Sequence, residues 1–245
     1  MGSTSVSSHY VEIGEADRES ESRRLASSWK EENLPSRQRT LVENQLKDYR
    51  GGKPVDVFDV LIEAVDAAKD LSATATVLEI GCSSGYYSEV LKIAGKTLIY
   101  EGCDYSESFI SLARSLYPNI RFAIEDATQL SYPDQRFDVV VSGCCLLHIP
   151  EYGSAIAEAA RIAKDYVIFH RTPVVYGQPT RYFRKQAYGV ETVEIHFEED
   201  ELLALFEKNG LALENTITLY ETRDTNDHSV GSAGRTYLCR KGLKK

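Results

Sequence analysis

The stretch Val77-Leu-Glu-Ile-Gly-Cys-Ser-Ser-Gly85 is an apolar run that ends in a turn bearing two glycines. An amphipathic pattern follows at once, with Tyr87, Val90, Leu91 and Ala94 spaced as on one face of a helix. A strand that leads through a glycine-containing turn into a helix is the unit that binds nucleosides in α/β proteins. The segment therefore predicts a nucleoside site at the carboxyl end of a buried strand.

The alternation of short apolar runs with amphipathic helices continues along the chain. This pattern is typical of a parallel sheet covered by helices on both faces. It predicts five strands, at residues 76–80, 97–103, 121–124, 138–142 and 166–170. A helix near residues 200–208 and two strand-like runs, at 213–221 and 236–240, follow. We therefore expect an α/β fold with a Rossmann-like, seven-stranded, mostly parallel sheet flanked by helices.

Two segments outside this pattern are expected to cover the site. Residues 1–70 are predicted to form an N-terminal tail and helical extension, with little stable structure before about Pro35 because large apolar residues are few there. Residues 71–245 form the sheet domain. Within it, 171–196 is rich in Tyr, Arg and Gln and is predicted to be an irregular lid, since it is too long for an ordinary connection.

The spacing in the glycine turn separates two kinds of nucleoside ligand. A dinucleotide site uses Gly-x-Gly-x-x-Gly to seat a diphosphate, whereas this turn reads Gly81-x-x-x-Gly85. Glu79 lies two residues before the turn, and a carboxylate there suits a ligand with an amino group and repels a diphosphate. An NAD-dependent oxidoreductase is therefore disfavoured.

The same stretch resembles motif I of the class I S-adenosylmethionine-dependent methyltransferases, whose form is acidic-x-Gly-x-Gly-x-Gly. Ser83 stands at the place of the middle glycine. Three further landmarks appear in the order that the family uses, so that the resemblance extends from Val77 to Pro173. It implies S-adenosylmethionine as the cofactor and transfer of its methyl group as the reaction.

The resemblance also implies which residues bind this cofactor. Asp104, at the end of the second strand, would accept hydrogen bonds from both ribose hydroxyls; alternatively it caps a helix. Asp126 and Ala127 would contact the adenine, although Asp126 is also an ordinary turn residue. Ser142 and Gly143 would lie beside the adenosine and the transferred methyl. The complete predicted set is Glu79, Gly81, Cys82, Ser83, Gly85, Asp104, Tyr105, Asp126, Ala127, Ser142 and Gly143.

The sequence of the loop after the fourth predicted strand indicates which class of acceptor is methylated. It lacks the Pro-Pro motif of enzymes that methylate amide or base nitrogens, and its Leu-Leu-His-Ile-Pro run resembles small-molecule methyltransferases. His148 in this run is a candidate general base, because its ordinary pKa lies near neutrality, or else a packed residue that orients the loop. His170 and Arg171 end the fifth strand, where such sheets bind ligands, and are otherwise a solvated or salt-bridged pair.

Composition narrows the partners and the compartment. The net charge of −9 repels a polyphosphate backbone and argues against nucleic acid. Neither a signal peptide nor a membrane-spanning run is visible, and the five cysteines lack metal-ligand spacing, so we expect a cytoplasmic protein with no metal. A small-molecule methyltransferase is the first hypothesis. The alternative is a methyltransferase-like binding or regulatory module without turnover.

Overall fold

The computed structural model describes residues 6–242, with side chains from His9 onward. The strands are β1 (Val6–Glu12), β2 (Thr76–Ile80), β3 (Ile99–Asp104), β4 (Arg121–Ile124), β5 (Phe137–Gly143), β6 (Ala163–Tyr176), β7 (Arg181–Ala187), β8 (Val190–Glu198), β9 (Leu211–Arg223) and β10 (Gly231–Lys241). The helices are α1 (Arg18–Ala26), α2 (Leu34–Arg50), α3 (Asp56–Ala67), α4 (Tyr87–Ile93), α5 (Glu107–Leu116), α6 (Tyr152–Ile162) and α7 (Glu199–Lys208).

Seven strands form the central sheet in the order β4-β3-β2-β5-β6-β10-β9. The first five are parallel, and β10 runs antiparallel to both of its neighbours. The predicted α/β fold with a mostly parallel Rossmann-like sheet is therefore confirmed, but β8, β7 and β1 extend this sheet from β6, so that it has ten strands among the described residues and not seven. Since parallel strands share one direction, the loops that follow β2 to β6 all emerge at the same edge of the sheet.

Both faces of this sheet are buried, as the continuous apolar runs predicted. Along β5, Val139 and Val141 pack towards α3 and α4, whereas Val140 packs towards α6 and α7. All three valines are at most 4% exposed. The bounds predicted for β2 and β4 agree with the structure, and those of β3 and β5 differ by one or two residues at each end.

The expectation of an irregular backbone over residues 171–196 is wrong. Strand β6 continues to Tyr176, and β7 and β8 form an antiparallel hairpin. Its turn is Tyr188-Gly189, with φ of 51° and 85°, the positive values that tight hairpin turns need. Strand β8 also pairs with the far end of β6, through Val174 and Phe197. The two strands pair with each other, and the edge of β7 pairs in addition with β1, which lies far away in the sequence.

The expectation of little structure before Pro35 is also wrong for the described residues. Strand β1 pairs antiparallel with β7, and helix α1 buries Leu25 completely. An ion pair of 2.6 Å joins Glu12 to Arg181. The segment is too polar to fold alone, but it buries its few apolar side chains against strands that lie more than 150 residues further along the chain.

Candidate active site

A cavity of about 450 Å³ opens at the carboxyl edge of the central sheet. Its volume is within the range of small-molecule sites. The loops after β2 to β5 and two residues within β6, Arg171 and Pro173, form its floor. The β7–β8 hairpin and the N-terminal segment form its far wall and cover. Eight of the predicted site residues line it: Gly81, Ser83, Asp104, Tyr105, Asp126, Ala127, Gly143 and His148.

The turn after β2 is shaped by three residues with positive φ. Gly81, Ser83 and Gly85 have φ of 71°, 48° and 74°. A Cβ on Gly81 would lie 2.3 Å from the Cβ of Cys145, so the loop after β5 approaches closer than any side chain permits. Ser83 adopts the left-handed conformation that glycine favours, at the place where the family has its middle glycine. The backbone path of motif I is thus retained without that glycine.

Asp104 is held at the end of β3 by backbone donors. Its two carboxylate oxygens accept hydrogen bonds of 3.0 Å from the N–H groups of Ser83 and Ser106. Burial raises the pKa of Asp104 to about 6, against the opposing effect of these hydrogen bonds. Each oxygen retains a lone pair, and the residue lies on the cavity wall. The carboxylate is therefore orientated to accept further hydrogen bonds from a ligand.

Asp126 and Tyr105 border the same end of the cavity. The Oδ1 of Asp126 accepts hydrogen bonds from the backbone and hydroxyl of Thr128, at 2.8 and 2.7 Å, which leaves Oδ2 as a further acceptor. The Tyr105 hydroxyl donates to the carbonyl of Ala26, at the end of α1. This bond ties the loop after β3 to the N-terminal segment.

Four predicted site residues do not line the cavity. Gly85 packs against Phe122, Cys82 is buried against Gly102, and the Ser142 hydroxyl lies 3.2 Å from the Cys145 thiol. Glu79 is 1% exposed and accepts a hydrogen bond from Tyr100 behind the cavity floor. Burial raises the pKa of Glu79 to about 8, so that the carboxyl is mainly protonated at neutral pH.

His148 lies on the cavity wall, and one of its ring nitrogens forms a hydrogen bond within the protein. Its Nδ1 is 2.6 Å from the carbonyl oxygen of Val193, which can only accept, so Nδ1 carries the hydrogen. The indole of Trp29 covers the ring at 4.7 Å. Burial lowers the pKa of His148, which keeps the imidazole neutral at physiological pH. Nε2 is therefore an unprotonated acceptor.

His170 and Arg171, which the sequence placed at the end of the fifth strand, have different surroundings within β6. His170 is 1% exposed and is bonded on both sides, at 2.9 Å to the Tyr87 hydroxyl and 3.0 Å to that of Thr236. It is a packed core histidine. Arg171 lies on the cavity wall. The sequence identified this position but left its role open.

The far wall contains charged residues that the sequence did not single out. Lys185 on β7 is 2.7 Å from Glu194 on β8, and His196 bonds the other oxygen of that carboxylate at 3.1 Å. Although burial opposes it, these contacts lower the pKa of Glu194 to about 2. Tyr10 accepts a further hydrogen bond from Lys185 at 2.7 Å. Only the hairpin register brings these residues together, so no local sequence signal could have found them.

Three buried polar atoms on the cavity wall have no hydrogen-bond partner among the described residues. They are Trp29 Nε1, Gln38 Oε1 and Thr192 Oγ1. Buried polar groups are rarely left unpaired, so these atoms are suited to bind a polar ligand. Within the described part of the chain, no group of three or more His, Cys, Asp or Glu residues is arranged to hold a metal ion. Nor is any helix of residues 6–242 long and apolar enough to cross a membrane.

Residues 78–169 match the family model described as "Methyltransferase domain". The matched segment runs from β2 to β6 and contains the turn after β2, Asp104, Asp126 and the loop that bears His148. This chain carries a class I S-adenosylmethionine-dependent methyltransferase domain. The resemblance recognised from motif I is thereby confirmed.

Curated relatives match over part of the chain. A demethylmenaquinone methyltransferase of Bacillus licheniformis is 33% identical over 94 residues, which are 37% of this chain and 40% of the relative. A probable S-adenosylmethionine-dependent methyltransferase of Mycobacterium tuberculosis is 30% identical over 88 residues, 36% of this chain and 31% of the relative. The chain thus matches less than half the length of these relatives.

Solved structures share the fold over more of the chain. A Methanosarcina mazei protein titled a S-adenosylmethionine-dependent methyltransferase has a TM-score of 0.53 at 21% identity, covering 71% of this chain and 95% of that chain. A 1,6-didemethyltoxoflavin N1-methyltransferase of Burkholderia thailandensis, solved with its substrate and S-adenosylhomocysteine, has a TM-score of 0.50 at 19% identity, covering 83% and 88%. At these identities the likeness concerns the fold.

Proposed function

We propose that this protein transfers the methyl group of S-adenosylmethionine to a small-molecule acceptor. The observation that carries the proposal is Asp104, a cavity-wall carboxylate whose oxygens are fixed by the backbone of Ser83 and Ser106. Two vicinal ribose hydroxyls are ligands that such a carboxylate can bind. Support also comes from the curated relative named demethylmenaquinone methyltransferase, whose name gives a small-molecule acceptor.

The residues present fit this cofactor. Gly81 lines the cavity floor and has no side chain of its own, so that its backbone can contact a ligand directly. Asp104 would hold the ribose, and Asp126 with the backbone of Ala127 would hold the adenine. Trp29 and Gln38 supply one donor and one acceptor that have no partner in the described structure. When bound, the cofactor supplies a methyl group on a sulfonium, a leaving group that needs no activation.

The protein's own contribution to the reaction is positioning and proton removal. The cavity wall excludes water and orients the acceptor, which is the main requirement of an in-line displacement. His148 would act as the general base for a hydroxyl acceptor, because Val193 fixes its hydrogen on Nδ1 and leaves Nε2 free to take a proton. Its lowered pKa keeps it in the competent neutral form.

The affinity for S-adenosylhomocysteine tests the cofactor assignment. Replacing Asp104 with Ala removes a charged hydrogen-bond acceptor and should weaken binding, measured by calorimetry, by about 1.5–3 kcal/mol. In the wild type the affinity should also fall as the pH drops through about 6, since the protonated carboxyl no longer accepts two hydroxyls. The Asp104→Ala protein should lack this step.

Asp165→Ala is the matched control, because this aspartate is a half-exposed surface residue outside the cavity. Equal affinities of Asp104→Ala and the control would refute the ribose assignment. Turnover is tested by incubating the enzyme and metabolite extracts with a deuterated methyl donor, followed by mass spectrometry. Binding without any labelled product would favour a non-catalytic module.

A further inference from the structure

The backbone of β6 is distorted where Arg171 enters the cavity. Phe169 pairs with Tyr237 and Thr172 with Arg235, so that two residues of β6 face one residue of β10. Arg171 occupies this bulge with φ of 55°, a left-handed conformation that is uncommon for a residue with a side chain. Its N–H donates to the Thr236 hydroxyl at 3.3 Å. Bulges near active sites redirect side chains, and this one turns Arg171 into the cavity wall.

The positive charge of Arg171 has no counterion among the described residues. The groups that interact with its guanidinium are the hydroxyls of Tyr86 and Tyr87 and the thiol of Cys144. Burial raises the pKa of both tyrosines, which are therefore neutral at physiological pH. An arginine is always charged, and a charge removed from water is stabilised only by an opposite charge or strong hydrogen bonds. The cavity thus contains an uncompensated cation.

The neighbouring cation is already neutralised. Lys185 contacts Glu194 at 2.7 Å, with both side chains about 10% exposed. The pair contributes no net charge to the far wall, so an anion entering this part of the cavity would be attracted by Arg171. Asp104 and Asp126, which line the same cavity, are negative and would repel it.

Arg171 lies near Tyr86 and Tyr87, which directly follow the glycine turn, and it also affects residues elsewhere on the cavity wall. Its charge acts on Tyr188 in the β7–β8 turn, on Tyr220 of β9 and on His148. All three line the cavity. An anionic group held by Arg171 would therefore belong to a molecule that also lies beside the candidate base.

We propose that Arg171 binds a carboxylate of the methyl acceptor, so that the substrate is a small organic acid. A guanidinium forms two parallel hydrogen bonds with a carboxylate, which orient the bound molecule as well as attract it. This inference rests on the proposed function, because it assigns the acceptor end of that site. Binding at Arg171 would leave the remainder of the acceptor near His148.

The test uses benzoate and its uncharged isostere benzamide, with saturating S-adenosylhomocysteine to occupy the cofactor end. Trp29 is the only tryptophan of the chain and lies on the cavity wall, so its fluorescence reports binding. Benzoate should bind and benzamide should bind much more weakly. Arg171→Gln should weaken benzoate binding about tenfold or more, as expected for a lost charged hydrogen-bond donor. Arg240→Gln, on the exposed surface of β10, should leave it unchanged.

Three outcomes would overturn the proposal. The first is that the wild type does not bind benzoate at tens of millimolar. The second is that Arg171→Gln binds benzoate as tightly as the wild type does. The third is that benzoate competes with S-adenosylhomocysteine and that Arg171→Gln also loses affinity for S-adenosylhomocysteine. The last result would assign Arg171 to the cofactor's own carboxylate. Arg171→Lys retains the charge and should bind benzoate more tightly than Arg171→Gln, which guards against a folding defect in the glutamine variant. Failure of the proposed function gives a different result. In that case the protein does not bind S-adenosylhomocysteine, whereas benzoate alone still binds and its binding still depends on Arg171.

Discussion

Gly81 shows how a single residue can determine the shape of the site. Its φ of 71° suits a residue without a side chain, and a Cβ there would overlap with Cys145. Ser83, in the same turn, tolerates a left-handed backbone because no comparable approach is made at its position. The two positions differ in steric contact, although both appear as small residues of one motif.

Replacing Gly81 with Ala should cost more stability than replacing Gly95 with Ala. Both glycines have positive φ, 71° and 74°, so each alanine introduces a left-handed residue at about 1–2 kcal/mol. A Cβ on Gly95 meets no atom within 4 Å, whereas one on Gly81 lies 2.3 Å from that of Cys145. The overlap should add about 1–3 kcal/mol to the loss for Gly81→Ala. Urea unfolding measures both, and equal losses would show that the loop after β5 yields freely.

Strand β1 and helix α1 show how a polar segment becomes ordered. Neither has enough apolar residues to fold alone, and composition therefore predicted a tail. The rest of the protein orders this segment. Strand β1 forms backbone hydrogen bonds with the edge of β7, and Leu25 packs into the hydrophobic core. The β7–β8 hairpin was missed for a related reason, since β1, which pairs with the edge of β7, lies far away in the sequence.

If α1 belongs to the cooperative core, Leu25→Ala should destabilise the whole protein. The side chain is 0% exposed, and removing it should cost about 2–5 kcal/mol of unfolding free energy. Leu116→Ala is the matched control, because Leu116 ends α5 with 38% of its surface exposed and should change stability far less. Both are measured by chemical denaturation. Similar small losses would mean that α1 detaches independently of the domain.

Across the whole molecule, the cavity is formed by parts of the chain from both ends. Motif I and Asp104 come from the central sheet, Trp29 from the N-terminal segment and Lys185 from the hairpin. Arg37 donates to the carbonyl of Tyr188 at 2.8 Å and joins α2 to the hairpin turn. This hydrogen bond and the one from Tyr105 to Ala26 connect the covering segments to one another and to the loop after β3.

Binding of S-adenosylhomocysteine should slow amide hydrogen exchange in residues 18–30 and around Tyr188. The ligand would contact Trp29 and stabilise the closed position of α1, which the Tyr105 to Ala26 hydrogen bond already favours. The turn between β9 and β10, residues 224–230, lies outside the cavity and should exchange at an unchanged rate. Protection limited to the loops after β2 and β3 would contradict a covering role for the N-terminal segment.

The sequence by itself indicated the parallel strands of the central sheet and the turns at their ends that we propose to bind the cofactor. The bounds of β2 and β4, the glycine turn and the positions of Asp104 and Asp126 all follow from local patterns, since a buried strand and the turn that ends it are encoded by adjacent residues. Local sequence patterns also identified His148 and Arg171 as candidate site residues. It could not assign their roles, because these depend on Val193, Thr236 and other partners from distant strands.

Only the tertiary structure decided the far wall of the cavity, where we propose that the acceptor binds. Lys185, Glu194 and Thr192 acquire their positions from the register of β7 with β8, and Trp29 from the docking of α1. The structure also separated the predicted residues that line the cavity from Glu79, which lies behind its floor. Charge balance, burial and unpaired polar atoms are properties of residues brought together by folding, and no single segment of the sequence contains them.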